Sequence, residues 1–174
     1  MTGRIEVPTE RLVLVGADSG LLRSDLAGKK ALARKAGAIV PRTWPPEHHD
    51  RPVIEWMMGM VGNTKPDDIW RPYYILLREP RTLIGTCGYK GPPDAVGRVE
   101  VGYSVLPAFQ RRGFASEAVS MLMAQAFAHG AREVAAETFP SLLASRRVME
   151  KCGMASAAAG SEVGTVRYAR RGGS

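Results

Sequence analysis

The stretch VLPAFQRRGFASEAVSMLMAQAF, Val105–Phe127, joins two patterns of different period. Leading into it, Val101, Tyr103 and Val105 alternate with Gly102, Ser104 and Leu106, the period of a strand. Beyond it, Ala115, Ala118, Val119, Leu122, Met123, Ala126 and Phe127 recur at three- and four-residue spacing, the stripe of a helix. Pro107 cannot donate a ladder hydrogen bond, so strand pairing falters there, and Gly113 can take a positive φ or pack tightly. The stretch is therefore a strand-to-helix corner. Such a corner can also cradle an anion. The amides of Arg111 to Ala115 can share one concavity at the positive end of the helix, with Arg111 and Arg112 adding charge-assisted bonds. The spacing is neither a Walker A loop nor a GxGxxG fingerprint. On local physics both readings stand, and a plain helix start is the commoner.

Outward from this corner the sequence alternates between sheet and helix signals. RLVLVGA (Arg11–Ala17) reads as a first strand, and Leu21–Gly37 as a helical region stopped by glycine. IVPRTWPPEHHDRP, with Pro41, Pro45, Pro46 and Pro52, reads as a connection, and Val53–Gly62 as an apolar helix. RPYYILLRE, PRTLIGTCGYKG and RVEVGYSVL (Arg98–Leu106) predict three strands, the first two joined by a turn around Glu79–Arg81, in an antiparallel meander. After the central helix, REVAAETF predicts a strand and ASRRVMEKCG a short helix stopped by Gly153, with Val148, Met149 and Cys152 on its inner face. The tail, best seen in TVRYAR, supplies one or two last strands. The fold class is α+β: a mixed, mostly antiparallel sheet of about six or seven strands, flanked by about four helices. No repeat or boundary divides the chain, so residues 1–174 are read as one domain with a core over about 11–168.

Composition narrows the function classes. The chain has 174 residues, 45% of them hydrophobic, and a formal charge of +7, which suits a soluble protein with a phosphorylated or nucleic-acid ligand. The basic residues form no long stripe and no zinc-finger spacing, which disfavours nucleic acid. No apolar run reaches membrane-spanning length and the first residues carry no signal-peptide core, so a cytoplasmic protein without membrane attachment is expected. Cys87 and Cys152 read as buried free thiols of a reducing compartment, with a disulfide as the alternative. His48 and His49, in the proline-rich connection, read as loop surface rather than metal ligands, and no metal is expected.

Two blocks carry a resemblance. Gln110-Arg111-Arg112-Gly113-Phe114-Ala115 resembles the acetyl-CoA signature Gln/Arg-x-x-Gly-x-Gly/Ala of the GCN5-related N-acetyltransferase (GNAT) family. ETFPSLLASRRVMEKCGM (Glu137–Met154) is similar to the late strand-and-helix element of its RimJ/RimL-like branch, which acetylates ribosomal-protein N-termini, and GTCGYKGPP fits that branch's middle strands. The resemblance runs from about Arg11 to Tyr168. It implies a GNAT-like acyl-CoA N-acyltransferase fold and direct attack of an amine on acetyl-CoA in a ternary complex, releasing CoA. The acceptor would be a peptide or protein N-terminus or a small-molecule amine, and a homodimer is left open.

For particular residues the resemblance implies the following. Backbone groups near Ser104, Val105 and Leu106 would align pantetheine in an opening between two parallel strands. The amides of Arg111, Arg112, Gly113, Phe114 and Ala115 would hold the pyrophosphate, with Gln110, Ser116, Ser145 and Arg147 adding cofactor contacts. Glu100 and Glu137 are the candidate bases, and Ser145 could assist the leaving thiolate or act as a helix N-cap. Trp44, Trp56, Trp70, Tyr89 and Tyr103 are candidates for the acceptor pocket, and Arg23 for an acidic group on the acceptor. Two departures stand out: Leu142 replaces an asparagine that contacts pantetheine, and Met149 a tyrosine that acts as acid. A catalytically weak acyl-CoA-binding regulatory protein is therefore the alternative.

Overall fold

The computed structural model describes residues 3–173. Its elements run β1 (Glu6–Pro8), β2 (Leu12–Gly16), α1 (Ser19–Ala27), α2 (Lys29–Ala36), α3 (Arg51–Gly62), β3 (Pro72–Leu77) and β4 (Thr82–Tyr89). They continue with β5 (Arg98–Val105), α4 (Phe114–Ala128), β6 (Glu133–Thr138), α5 (Leu143–Lys151), β7 (Ala155–Ala159) and β8 (Val166–Arg171). The strands form one eight-stranded sheet in the order β1-β2-β3-β4-β5-β6-β8-β7. The antiparallel meander β3-β4-β5 is as the alternation predicts, and β2 adds to it alongside β3. Among the described residues no helix is long and apolar enough to cross a membrane.

Two cores lie on opposite faces of the sheet. One packs Val99, Val101 and Val134 against Phe114, Val119, Leu122 and Met123 of α4 and Met149 of α5. The other packs Tyr74, Leu76 and Leu83 against Leu21 and Leu22 of α1, Leu32 of α2 and Ile54 of α3. The apolar stripe read from the sequence is thus α4's buried face, and hydrophobic burial is what seats the helix beneath the corner. Cys87 and Cys152 are both free and buried, and burial pushes both thiols up.

The element count differs from the expectation of six or seven strands and about four helices. Beyond seven strands the sheet gains β1, only three residues long; the second tail strand is β7, whose alanine-rich ASAAA is exposed throughout and lacks β-branched signal. The helical region Leu21–Gly37 splits in two because Gly28 takes φ 123°, caps α1 and starts α2. His49 departs from its surface reading: it is 2% exposed, and its Nε2 lies 2.7 Å from Asp25 Oδ2.

The only parallel pairing among the described strands joins β5 to β6, and it is short. Arg98, Val99 and Glu100 pair with Glu133, Val134 and Ala135, after which the strands part. From Val101 onward β5 pairs only with β4, while β6 pairs with β8 along its whole length. Backbone groups on the facing edges of the gap therefore lack ladder partners, a vacancy that an extended ligand can fill with main-chain bonds.

Candidate functional site

The chain leaves the open end of β5 directly into the corner. Leu106 N donates to Ile84 O, Pro107–Phe109 makes one 3-10 turn, and Gln110 Nε2 donates to Val105 O at 2.9 Å. Arg111 and Gly113 then both take positive φ, 60° and 81°, flanking Arg112. Alternation of hand of this kind turns successive N–H groups to one side. Phe114 opens α4 with no side-chain cap, so the first-turn donors have no intrahelical partner. Among the described residues, no acceptor engages the N–H groups from Arg111 through Ser116.

A second layer holds this loop in shape. Glu117 accepts from Thr9 Oγ1 at 2.6 Å and from both Arg11 N and Arg11 Nε at 2.7 Å. Desolvation pushes the Glu117 carboxyl up, but the bonds from Thr9 and Arg11 outweigh it and hold the group below its ordinary value. Arg11 also donates to Arg112 O at 2.9 Å and lies over the Phe114 ring at 4.5 Å. The turn between β1 and β2 is thereby clamped to the first turn of α4. Beside it lies a groove of about 490 Å³ into which Arg11, Arg111, Arg112 and Lys151 bring positive charge, and Ser116 and Ser120 their hydroxyls. A Cβ built on Gly113 would come within 3.2 Å of Arg11 Nη2 and 3.7 Å of Lys151 Nζ. The glycine keeps that corner of the groove clear.

The parted strands carry the other half of the site. By alternation and register, Glu100, Gly102 and Ser104 of β5 share a face with Glu137 of β6, the face covered by α1 to α3. Glu100 is paired with Lys90 across the sheet, and Gly102 leaves the surface beside them open. Glu137 is fully engaged. It accepts from Arg167 Nε and Nη2 at 3.1 and 2.8 Å, and from Ser161 N and Oγ at 2.9 and 2.8 Å. Desolvation raises the Glu137 pKa, but the bonds from Arg167 and Ser161 prevail and lower it, leaving a carboxylate that resists taking a proton. Ser104 Oγ donates to Glu47 O at 2.7 Å, tying the proline-rich connection to β5.

On the opposite face, the Tyr103 hydroxyl sits 3.0 Å from Ser145 O and 3.1 Å from Ser145 Oγ, bridging β5 to the first turn of α5. Burial pushes that hydroxyl up to about 12, so it stays protonated at neutral pH. Ser145 is not the N-cap: Leu142 occupies that position without a side-chain cap bond. Leu142 is 48% exposed and Met149 is buried. Arg147 is exposed on α5.

The aromatic candidates divide. Tyr89 is 1% exposed in the core beneath α4, its hydroxyl donating to Leu122 O at 2.6 Å, so an acceptor cannot reach it. Trp70 stacks edge-on against Tyr89 at 4.9 Å. Trp44 is also core: its Nε1 donates to Asp25 Oδ1 at 2.9 Å. Trp56 is half-exposed on α3, and Arg23 is exposed beside a groove at the start of α1. Arg11, Glu117 and Lys151 escape the sequence reading because their roles depend on partners far away in the chain, and charged helix or strand ends carry no local signal of that kind.

A sheet whose one parallel pair parts beside a donor-lined helix start defines the acyl-CoA N-acyltransferase fold. The sequence pattern of the "Acetyltransferase (GNAT) domain" matches residues 20–155, and the chain belongs to that family. It is 36% identical over 77 residues to the uncharacterized N-acetyltransferase YoaA of Bacillus subtilis (strain 168), 44% of each chain. It is 25% identical over 148 residues to the uncharacterized N-acetyltransferase YjdG of the same organism, covering 83% of this chain and 86% of that one. The matches span less than half the length of the first two curated relatives, 44% and 40%. Among solved structures, RimL, a ribosomal L7/L12 α-N-protein acetyltransferase in complex with coenzyme A, superposes with a TM-score of 0.69 at 17% identity, covering 96% and 98% of the two chains. At that identity the likeness shows the fold alone. Acetyl-CoA is the acyl donor of the GNAT family, and the groove suits its diphosphate: free N–H donors, a helix N-terminus, unpaired guanidinium groups and a glycine where a side chain would intrude.

Proposed function

We propose that the protein transfers an acetyl group from acetyl-CoA to a primary amine, carried by a peptide or protein N-terminus or by a small molecule. The observation that carries this reading is the direct run from the parted edge of β5 into the loop of free N–H groups at Arg111–Ser116. The N–H groups of residues 111–115 and the Arg111 and Arg112 side chains hold the pyrophosphate, and the open edge of β5 orients the pantetheine arm. When bound, acetyl-CoA supplies a thioester carbonyl activated toward nitrogen nucleophiles.

Glu100 is the proton acceptor for the incoming ammonium. Glu137 shares its face but is saturated by Arg167 and Ser161, whereas Glu100 has one partner, the partly exposed Lys90. Glu137 instead fixes the Ser161 segment as a wall of the acceptor opening. On the other side, Tyr103 and Ser145 hold a proton where the strands part. Acetyl-CoA is expected to bind saturably, and a matching amine to drive thiol release that Glu100→Gln lowers in kcat by about a hundredfold or more with little change in acetyl-CoA affinity. Thiol release unaltered by that substitution would move the base elsewhere; absence of acetyl-CoA binding by folded protein would end the reading.

One observation favours a second reading. Leu142 and Met149 place apolar side chains where the resemblance implies polar ones, which suits a protein that binds acyl-CoA and catalyses little. A broad screen of amines and peptides by thiol release separates the two: binding without turnover on any acceptor supports the second.

A further inference from the structure

We infer that the groove at the head of α4 has two phosphate stations, and that the second, at Lys151, Ser116 and Ser120, reads the 3′-phosphate of coenzyme A. The inference rests on the acetyl-CoA reading above. The first station is complete without α5: the N–H groups of residues 111–116 and the Arg111 and Arg112 side chains all come from one loop and one helix end. Lys151 comes from a different element, the last turn of α5, yet lines the same groove with its Nζ at the Gly113 corner. Ser116 and Ser120 are one helical turn apart and share a face of α4 that looks into this crease. The crease is a built one: Cys152 Sγ sits 3.5 Å from both Ser120 Oγ and Ser116 O, fixing the end of α5 against that face.

Charge balance points the same way. Glu117 neutralises Arg11, but Arg111, Arg112 and Lys151 have no carboxylate partner among the described residues. The diphosphate linker can balance the two loop arginines, and Lys151 is left over. A phosphomonoester, close to doubly charged at neutral pH, with three strong acceptor oxygens, suits one ammonium and two hydroxyls. Coenzyme A carries such a group one ribose away from its diphosphate. Dephospho-CoA is the same molecule without it.

Calorimetric titration with CoA and with dephospho-CoA tests this on the intact protein. The wild type should bind CoA about tenfold or more tightly than dephospho-CoA. Lys151→Met, which keeps the length of an exposed side chain, should erase most of that preference and lower dephospho-CoA affinity far less than CoA affinity. Equal affinity of the wild type for both ligands overturns the second station but leaves the acetyl-CoA reading standing. So does a Lys151→Met variant that weakens both ligands alike, since Lys151 would then serve the diphosphate. Binding of neither ligand overturns both.

Discussion

Replacing Gly113 by valine is expected to weaken coenzyme A binding by about a hundredfold or more, a loss of roughly 2.7 kcal/mol. Gly113 holds φ 81°, a conformation costing other residues about 1–3 kcal/mol, and a β-branched one is the least able to adopt it. Its Cβ would stand 3.2 Å from Arg11 Nη2 and 3.7 Å from Lys151 Nζ, between two of the cations that line the groove. Those neighbours are flexible side-chain ends, so the fold can yield around the new group. The groove cannot, because valine's methyl groups would occupy the space that the proposed function gives to the phosphate oxygens. Stability should fall by only about 1–3 kcal/mol, leaving a folded protein for the binding measurement. Titration calorimetry paired with thermal unfolding checks both halves; a folded variant with unchanged affinity would place the diphosphate elsewhere.

The second large effect lies in the helix layer. Asp25→Ala should cost about 3–5 kcal/mol of stability, read by urea unfolding. The Asp25 carboxylate is 4% exposed and accepts from Trp44 Nε1 at 2.9 Å and Tyr74 Oη at 2.8 Å, with His49 Nε2 at 2.7 Å. Its loss strands those polar groups inside a core, and each buried group left without a partner carries its own desolvation cost. Burial, and then the charge of Asp25, push the Tyr74 hydroxyl far up, so it remains a donor at any working pH. His49 Nδ1 already lacks a partner among the described residues, so the alanine variant would leave the buried imidazole with neither nitrogen paired. The Asp25→Asn substitution keeps the shape and one carbonyl oxygen, and its cost should fall between wild type and the alanine variant. A loss below about 1 kcal/mol for the alanine variant would mean that water replaces the carboxylate, and that the cluster does not anchor the connection between α2 and α3.

Much of the fold is legible in the sequence because periodicity is local. The meander, α4 and the corner at Pro107 and Gly113 follow from spacing over a few residues. Where that signal is weak, elements escape. β1 is three residues long, β7 is an exposed run of small residues, and Gly28 interrupts a pattern that otherwise reads as one helix. The site divides the same way. Gly113 is readable because a tight corner calls for a residue tolerant of positive φ. Arg111, at φ 60°, is not, since nothing in its side chain announces that conformation. Arg11 and Glu117 meet across 106 residues, and Asp25 and His49 across 24, so each reads alone as an ordinary polar residue. Glu137 shows the converse: its place on the strand is legible from the sequence, but only the structure reveals that Arg167 and Ser161 already engage it.

On the proposed function, the backbone amides leading into α4 bind the diphosphate of coenzyme A. Titrating ¹⁵N-labelled protein with CoA tests it most directly, because each N–H reports separately. The largest saturable shifts are expected on Arg111 through Ser116, with smaller ones along the open edge of β5. Saturable binding that leaves those amides unmoved, with the shifts gathered elsewhere on the sheet, would contradict it.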